Sequence, residues 1–327
     1  MASGRALAAG VVALLIVAGC VAPAAPASSA ASSSPGTLEA TAGASPDSTV
    51  PATSTPLAGP CSAPAGESTE IRWTIDGNER TALIHPSEIP NTSTAPLVIA
   101  LHGYGGFGME LERISELSDA ADEHGWTVVY PEGTGHPQAW DYDRAQLGHA
   151  ADIAYLRTII DDLVEAGCVD AERVVVTGIS QGGWLADMAG CELSDALIGV
   201  VSVASRDFGW PCEPSSPVPF AAVSGVMDDV LPWDGGPVNA PPPINSVGSV
   251  DAWLAERAAL HSCTGAPEET RVSPHVVRFE WLGCAAPVSL YRVEDGGHSW
   301  PSGGGFPPVN RELSVTEIIA DMIAATS

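Results

Sequence analysis

Ser180 stands between Gly178 and Gly182 in the run RVVVTGISQGGW (173–184), a G-x-S-x-G spacing. A serine hydroxyl is a weak nucleophile by itself. It attacks a carbonyl carbon when a base takes its proton and when N–H donors meet the negative charge that develops on the carbonyl oxygen. Two other stretches can supply the base and the acid that orients it. SGVMDDVLP (224–232) sets Asp228 and Asp229 side by side in apolar surroundings, and EDGGHSWP (294–301) sets His298 in a glycine-rich loop. Serine, carboxylate and histidine in these roles perform acyl transfer through a covalent intermediate. Each piece also has an ordinary alternative: a tight turn, a solvated Asp-Asp turn, a surface-loop histidine.

The order Ser180, then Asp228 or Asp229, then His298 is the one an α/β-hydrolase requires. The elements that must hold these residues follow from hydrophobic periodicity. Val174, Val175 and Val176 predict a buried strand, and Leu185, Met188 and Ala189 fall on one face of a following helix. Ser180 therefore sits on a sharp strand-to-helix turn, with its hydroxyl at a helix N-terminus. Residues 68–86 read as a hairpin around Asp76-Gly77. Further strands are expected over 96–101, 126–130, 197–203, 218–223, 276–281 and 288–293. Helices are expected over 109–124, 150–167, 249–261 and 314–325. Apolar strands alternating with amphipathic helices imply an α/β fold, a mainly parallel sheet with helices on both faces. Ligands in such sheets bind at the carboxyl ends of the strands. Two oxyanion donors are expected there: the backbone N–H of Gln181, just after the nucleophile, and that of Tyr104 in the loop HGYGG (102–106). His102 reads as a structural loop histidine. Trp140, Trp184, Trp233 and Trp300 fall in or near strand-end loops, and Trp140 and Trp300 are the candidates for an aromatic substrate wall.

Composition narrows the setting. The chain has 327 residues, 40 acidic against 13 basic, all arginine, for a net charge of −27. That excludes a basic surface for nucleic acid. Residues 1–20 read as an export signal: Arg5, an apolar run over 6–18, then Val17-Ala18-Gly19-Cys20, which resembles a bacterial lipobox with Cys20 as the lipidated residue. The alternative is an ordinary cleaved secretory signal; both place the folded part outside the cytoplasm, and the lipobox anchors it to the membrane. Residues 21–66, rich in Ala, Ser, Pro and Thr, are too poor in large apolar side chains to fold and are expected to tether a catalytic domain over 67–327. Six other cysteines suggest three disulfides. Fifteen pairings are open; the shorter bridges Cys191–Cys212 and Cys263–Cys284 are favoured, leaving Cys61 and Cys168. No spacing suggests a metal site, and no cofactor is expected.

LHGYGG, GISQGG, GGHSWP and the Asp229–Pro232 segment together resemble the polyhydroxybutyrate depolymerase and feruloyl esterase family of secreted α/β-hydrolases, over about residues 69–305. The resemblance implies Ser180 as nucleophile, His298 as base, the HGYG loop as oxyanion donor and, by alignment of 224–232, Asp228 as the acid. Ser224 departs from the family, which commonly has histidine there. The implied activity is serine carboxylic-ester hydrolysis of a small or polymeric ester. The acyl group is expected to be aromatic or a short hydroxyacyl chain. No long apolar lid segment lies between Leu197 and Pro217, which disfavours long-chain triglycerides. A peptidase of the same fold and a non-catalytic surface lipoprotein are the rival readings. The lack of a large partner domain counts against the first, and the intact Ser180, Asp228 and His298 against the second.

Overall fold

The sheet is organised by strands buried on both sides. In β3 (Ala95–Leu101), Leu97, Ile99 and Leu101 pack into one hydrophobic core while Val98 and Ala100 pack into another on the opposite face. β5 (Val169–Ile179) divides the same way, with Val174 and Val176 on one side and Val175 on the other. A side-chain period of two, apolar on both faces, is why these stretches read as continuous apolar runs.

The computed structural model describes residues 63–75, 77–87, 94–141, 149–207, 212–238 and 244–326. These all lie within the compact unit Thr55–Ser327. The expected signal and anchor with Cys20, and nearly all of the expected tether, lie outside the described residues. Ala63 already packs on the core and the Gly66 N–H donates to Pro86 O (2.8 Å), so packing begins a few residues before the expected boundary at 67.

β1 (Thr69–Ile75) and β2 (Asn78–Pro86) form the expected hairpin. After β3 come α1 (Gly108–Ser115), α2 (Leu117–His124), β4 (Thr127–Pro131) and α3 (His149–Glu165). After β5 come α4 (Gln181–Glu192), β6 (Gly199–Val203) and β7 (Phe220–Gly225). The chain closes with the short pair β8 (Gly236–Pro237) and β9 (Ser246–Val247), then α5 (Val250–Leu260), β10 (Glu268–Ser273), β11 (Val276–Glu280), β12 (Val288–Val293) and α6 (Val315–Ala324). Ten strands make one sheet in the order β1-β2-β4-β3-β5-β6-β7-β12-β11-β10. The six central strands from β4 to β12 run parallel, and antiparallel strands close both edges. α3, α4 and α5 cover one face; α1, α2 and α6 cover the other.

One expected helix divides. Residues 109–124 were expected to run unbroken, but Glu116 takes a left-handed conformation (φ 57°, ψ 23°) that caps α1 and restarts the chain as α2. Leu111, Leu117 and Ala121 keep helical spacing across the break and all stay buried, so periodicity alone does not reveal it. The exposed strand β10 also escapes periodicity, since five of its six residues are exposed.

Candidate active site

Because the central strands are parallel, their carboxyl ends share one edge of the sheet. HGYGG follows β3 there, Ser180 follows β5, the Asp228 loop follows β7 and the His298 loop follows β12. The turn at Ser180 is tight. Its φ of 58° and ψ of −119° lie where a side chain is rarely tolerated. The turn is fixed on one side by the Ser180 N–H donating to Val203 O of β6 (2.9 Å). On the other side the backbone of β3 presses close. A Cβ on Gly182 would lie 2.1 Å from Leu101 O, and one on Gly178 would lie 2.4 Å from Gly182 O. Both glycines are therefore required by space, not only by flexibility. Ser180 heads α4 without using its hydroxyl as a cap, so Oγ stays available at the helix N-terminus.

His298 and Asp228 are brought together. The His298 Nδ1–H donates to Asp228 Oδ2 (2.8 Å), and both residues are buried. The other carboxylate oxygen, Oδ1, accepts from the N–H groups of Val230 (2.9 Å) and Leu231 (2.7 Å). Three donors fix the Asp228 carboxylate in one orientation, and the Nδ1–H bond leaves His298 Nε2 as the ring nitrogen with a free lone pair. Asp229 points to solvent. The two neighbours that the spacing pattern left unresolved thus have different surroundings, and the buried one is the residue that the family alignment singles out.

The HGYGG loop touches the elbow: a Cβ on Gly103 would lie 3.3 Å from Ser180 Cβ. Within the loop, the Gly105 N–H donates to Gln138 O (2.7 Å) and the Gly106 N–H to Gly103 O (3.0 Å). Among the described residues the N–H groups of Tyr104 and Gln181 meet no acceptor. The Gln181 side chain is tied down by a two-way pair with the main chain of Trp140. It accepts from Trp140 N (3.1 Å) and donates to Trp140 O (2.6 Å). An unused pair of amides beside a serine at a helix N-terminus is the arrangement that can receive an oxyanion.

His102 is a brace. Its Nδ1–H donates to Gly103 O (2.7 Å), its Nε2 accepts from the Gly133 N–H (3.0 Å), and its ring lies against Trp140. Burial pushes it down to about 4, so it is neutral at ordinary pH.

The aromatic wall expected from Trp140 and Trp300 is not present. Each is 1% exposed. Trp140 donates its indole N–H to His102 O (2.7 Å) and supports the loop from behind, and Trp300 belongs to the core beside α1 and α6. Trp184 is buried as well. Sequence position placed these rings near strand ends correctly, but a large apolar ring near a strand end is still drawn into the core. The exposed apolar side chains are others. Tyr104 and Phe107 follow β3, Val226 and Met227 lead into Asp228, and Phe306 is 66% exposed with its ring centroid 6.4 Å from that of His298. Single exposed apolar residues carry little signal in a sequence; their gathering on three site-bearing loops is visible only in the fold.

Disulfides join Cys191 to Cys212 and Cys263 to Cys284. Cys168 is also disulfide-bonded, and Cys61 lies outside the described residues. Such bonds indicate an oxidising, extracytoplasmic setting. Among the described residues no group of three or more His, Cys, Asp or Glu could hold a metal ion, and no helix is long and apolar enough to cross a membrane.

The elbow, the sheet order and the edge on which the loops meet define the α/β-hydrolase class. An acetyl xylan esterase from Aspergillus awamori has the same fold, with a TM-score of 0.60 over 78% of this chain and 99% of that one, at 12% identity. Residues 82–209 match the family described as esterase PHB depolymerase. NocK of Nocardia uniformis subsp. tsuyamanensis, whose name carries an esterase assignment, is 32% identical over 254 residues, 70% of this chain and 74% of that protein. Feruloyl esterase B of Piromyces equi is 28% identical over 65% of this chain, which spans only 41% of that longer protein. The chain belongs to the polyhydroxybutyrate depolymerase and feruloyl esterase family, and its class of reaction is carboxylic-ester hydrolysis.

Proposed function

We propose that Ser180, His298 and Asp228 form the catalytic triad of this hydrolase and that it works through an acyl-Ser180 intermediate. The Ser180 oxygen attacks the ester carbonyl carbon while His298 Nε2 takes its proton. The carbonyl oxygen becomes an oxyanion that accepts hydrogen bonds from the N–H groups of Tyr104 and Gln181. Each such donor lowers the barrier by about 3 kcal/mol. The intermediate collapses, the alcohol leaves with the proton held by His298, and the acyl group stays on Ser180. Water then repeats the attack with His298 as base, releasing the acid. Asp228 keeps the imidazole in the right tautomer throughout. The observation that carries this reading is the buried His298–Asp228 pair on the same sheet edge as the Ser180 elbow. The family match favours esters over the peptidase alternative.

The acyl side is read as aromatic or as a short hydroxyacyl chain, single or polymeric. What supports this is the apolar rim of Tyr104, Phe107, Met227 and Phe306, exposed where Trp140 and Trp300 are buried. Short p-nitrophenyl esters, methyl ferulate, hydroxybutyrate oligomers and a long-chain triglyceride, assayed side by side, test it. Short esters and at least one of ferulate or hydroxybutyrate should be cleaved; preference for the triglyceride contradicts the reading. The domain layout (signal to residue 20, tether to about 66, catalytic part beyond) and a lipid anchor at Cys20 complete the proposal. They rest on the lipobox-like Val17-Ala18-Gly19-Cys20 and the composition that follows it. Mass spectrometry of the mature protein should find Cys20 as the N-terminal residue carrying a diacylglycerol, with the protein in the membrane fraction. Wild-type protein wholly in the medium with an unmodified N-terminus elsewhere would remove the anchor.

A further inference from the structure

Arg206 is a buried cation at the same sheet edge, three residues past β6 and 1% exposed. It reaches three segments. Nη1 donates to Ser205 O and to Ser224 Oγ (3.4 Å) at the end of β7. Nη2 donates to the carbonyls of Leu231 (3.1 Å) and Pro232 (3.4 Å). Leu231 is the link. Its N–H holds Asp228 Oδ1, and its carbonyl is held by Arg206. The chain of contacts runs from the guanidinium through Leu231 to Asp228 and on to His298 Nδ1. Burial pulls Arg206 down to about 10, while the negative charges of Asp228 and Asp251 oppose that. Burying a guanidinium is costly unless nearby carbonyls and carboxylates compensate, and here Leu231 O, Pro232 O and Asp228 belong to the acid's own turn.

We propose that Arg206 is a positioning residue: it clamps the 228–232 turn so that Asp228 stays in register with His298. This rests on the catalytic triad proposed above, in which Asp228 orients His298. Without the fork the buried Leu231 carbonyl loses its donor, Pro232 O is left with the Gly235 N–H (2.9 Å), and the turn relaxes. A misplacement of about 1 Å near reacting groups costs up to about 100-fold in rate.

The test uses Arg206→Met and Arg206→Lys in the intact protein. The readouts are kcat and KM on a short ester and the downfield NMR signal of the His298 Nδ1–H. Arg206→Met should lower kcat by about 10- to 100-fold with KM little changed. It should weaken or abolish the proton signal. Arg206→Lys keeps charge but not the fork, so kcat should fall by roughly 3- to 10-fold. Wild-type kcat and an unchanged signal in the methionine variant would overturn the proposal. Should that variant not fold, wild-type kcat and signal in the lysine variant would do the same. The proton signal needs no turnover, so an inert wild-type protein would end the hydrolytic reading while the signal still decides the role of Arg206.

Discussion

His102 and His298 both lie buried on the carboxyl edge of the sheet, one just after β3 and the other after β12. Their partners differ. His102 donates to one backbone carbonyl and accepts from one backbone amide, so both ring nitrogens are occupied. His298 donates to a buried carboxylate and leaves Nε2 open. Burial alone makes a histidine neutral and structural. Beside a fixed carboxylate, Nδ1–H is held and Nε2 is left to take a proton, which general-base chemistry requires. In the proposed mechanism, the same residue type at the same edge is thereby given opposite work by its hydrogen-bond partners.

Breaking the reactive side of this comparison should have the largest effect. Ser180→Ala and His298→Ala should each reduce kcat by about 10^4-fold or more while leaving a folded protein, as circular dichroism and turnover of a short ester would show. Asp228→Asn should cost nearly as much, about 10^3- to 10^4-fold, because the imidazole loses its anion and its tautomer.

Breaking the structural side should instead be read in stability. His102 has its folded pKa pushed below its ordinary value of about 6.5, to about 4. Its contribution is thus full above pH 6.5 and is lost as pH falls through 4, a difference of about 3 kcal/mol. His102→Gln should remove that pH dependence from the melting curve and leave the acidic limb of activity in place. If the limb moves instead, His102 is titrating in the reaction. The smallest effect belongs to Asp229→Asn, which should change kcat less than about threefold, since its carboxylate faces solvent. A larger loss there than at Asp228 would shift the acid by one residue.

These contrasts also mark how much the sequence discloses. The parallel sheet was legible because its strands are apolar on both faces, and the site motifs because each follows such a strand. Asp228 and Asp229 were not separable by spacing; the family alignment singled out Asp228, and three hydrogen-bond donors now set it apart from its neighbour. The break at Glu116 and the burial of Trp140 and Trp300 were hidden for a related reason. Backbone handedness and the depth of a loop depend on contacts far away in the chain. Arg206 offered no signal at all, since a lone arginine after a strand reads as surface until its partners across β7 and the 228–232 turn are known.

The central claim is that Ser180 is the acylated nucleophile, activated by His298. A fluorophosphonate probe followed by peptide mass spectrometry tests it directly. The probe should label one peptide, containing Ser180, at a rate that falls by orders of magnitude in His298→Ala and is barely altered in His102→Gln. Labelling at another residue, or undiminished labelling in Ser180→Ala, would contradict it.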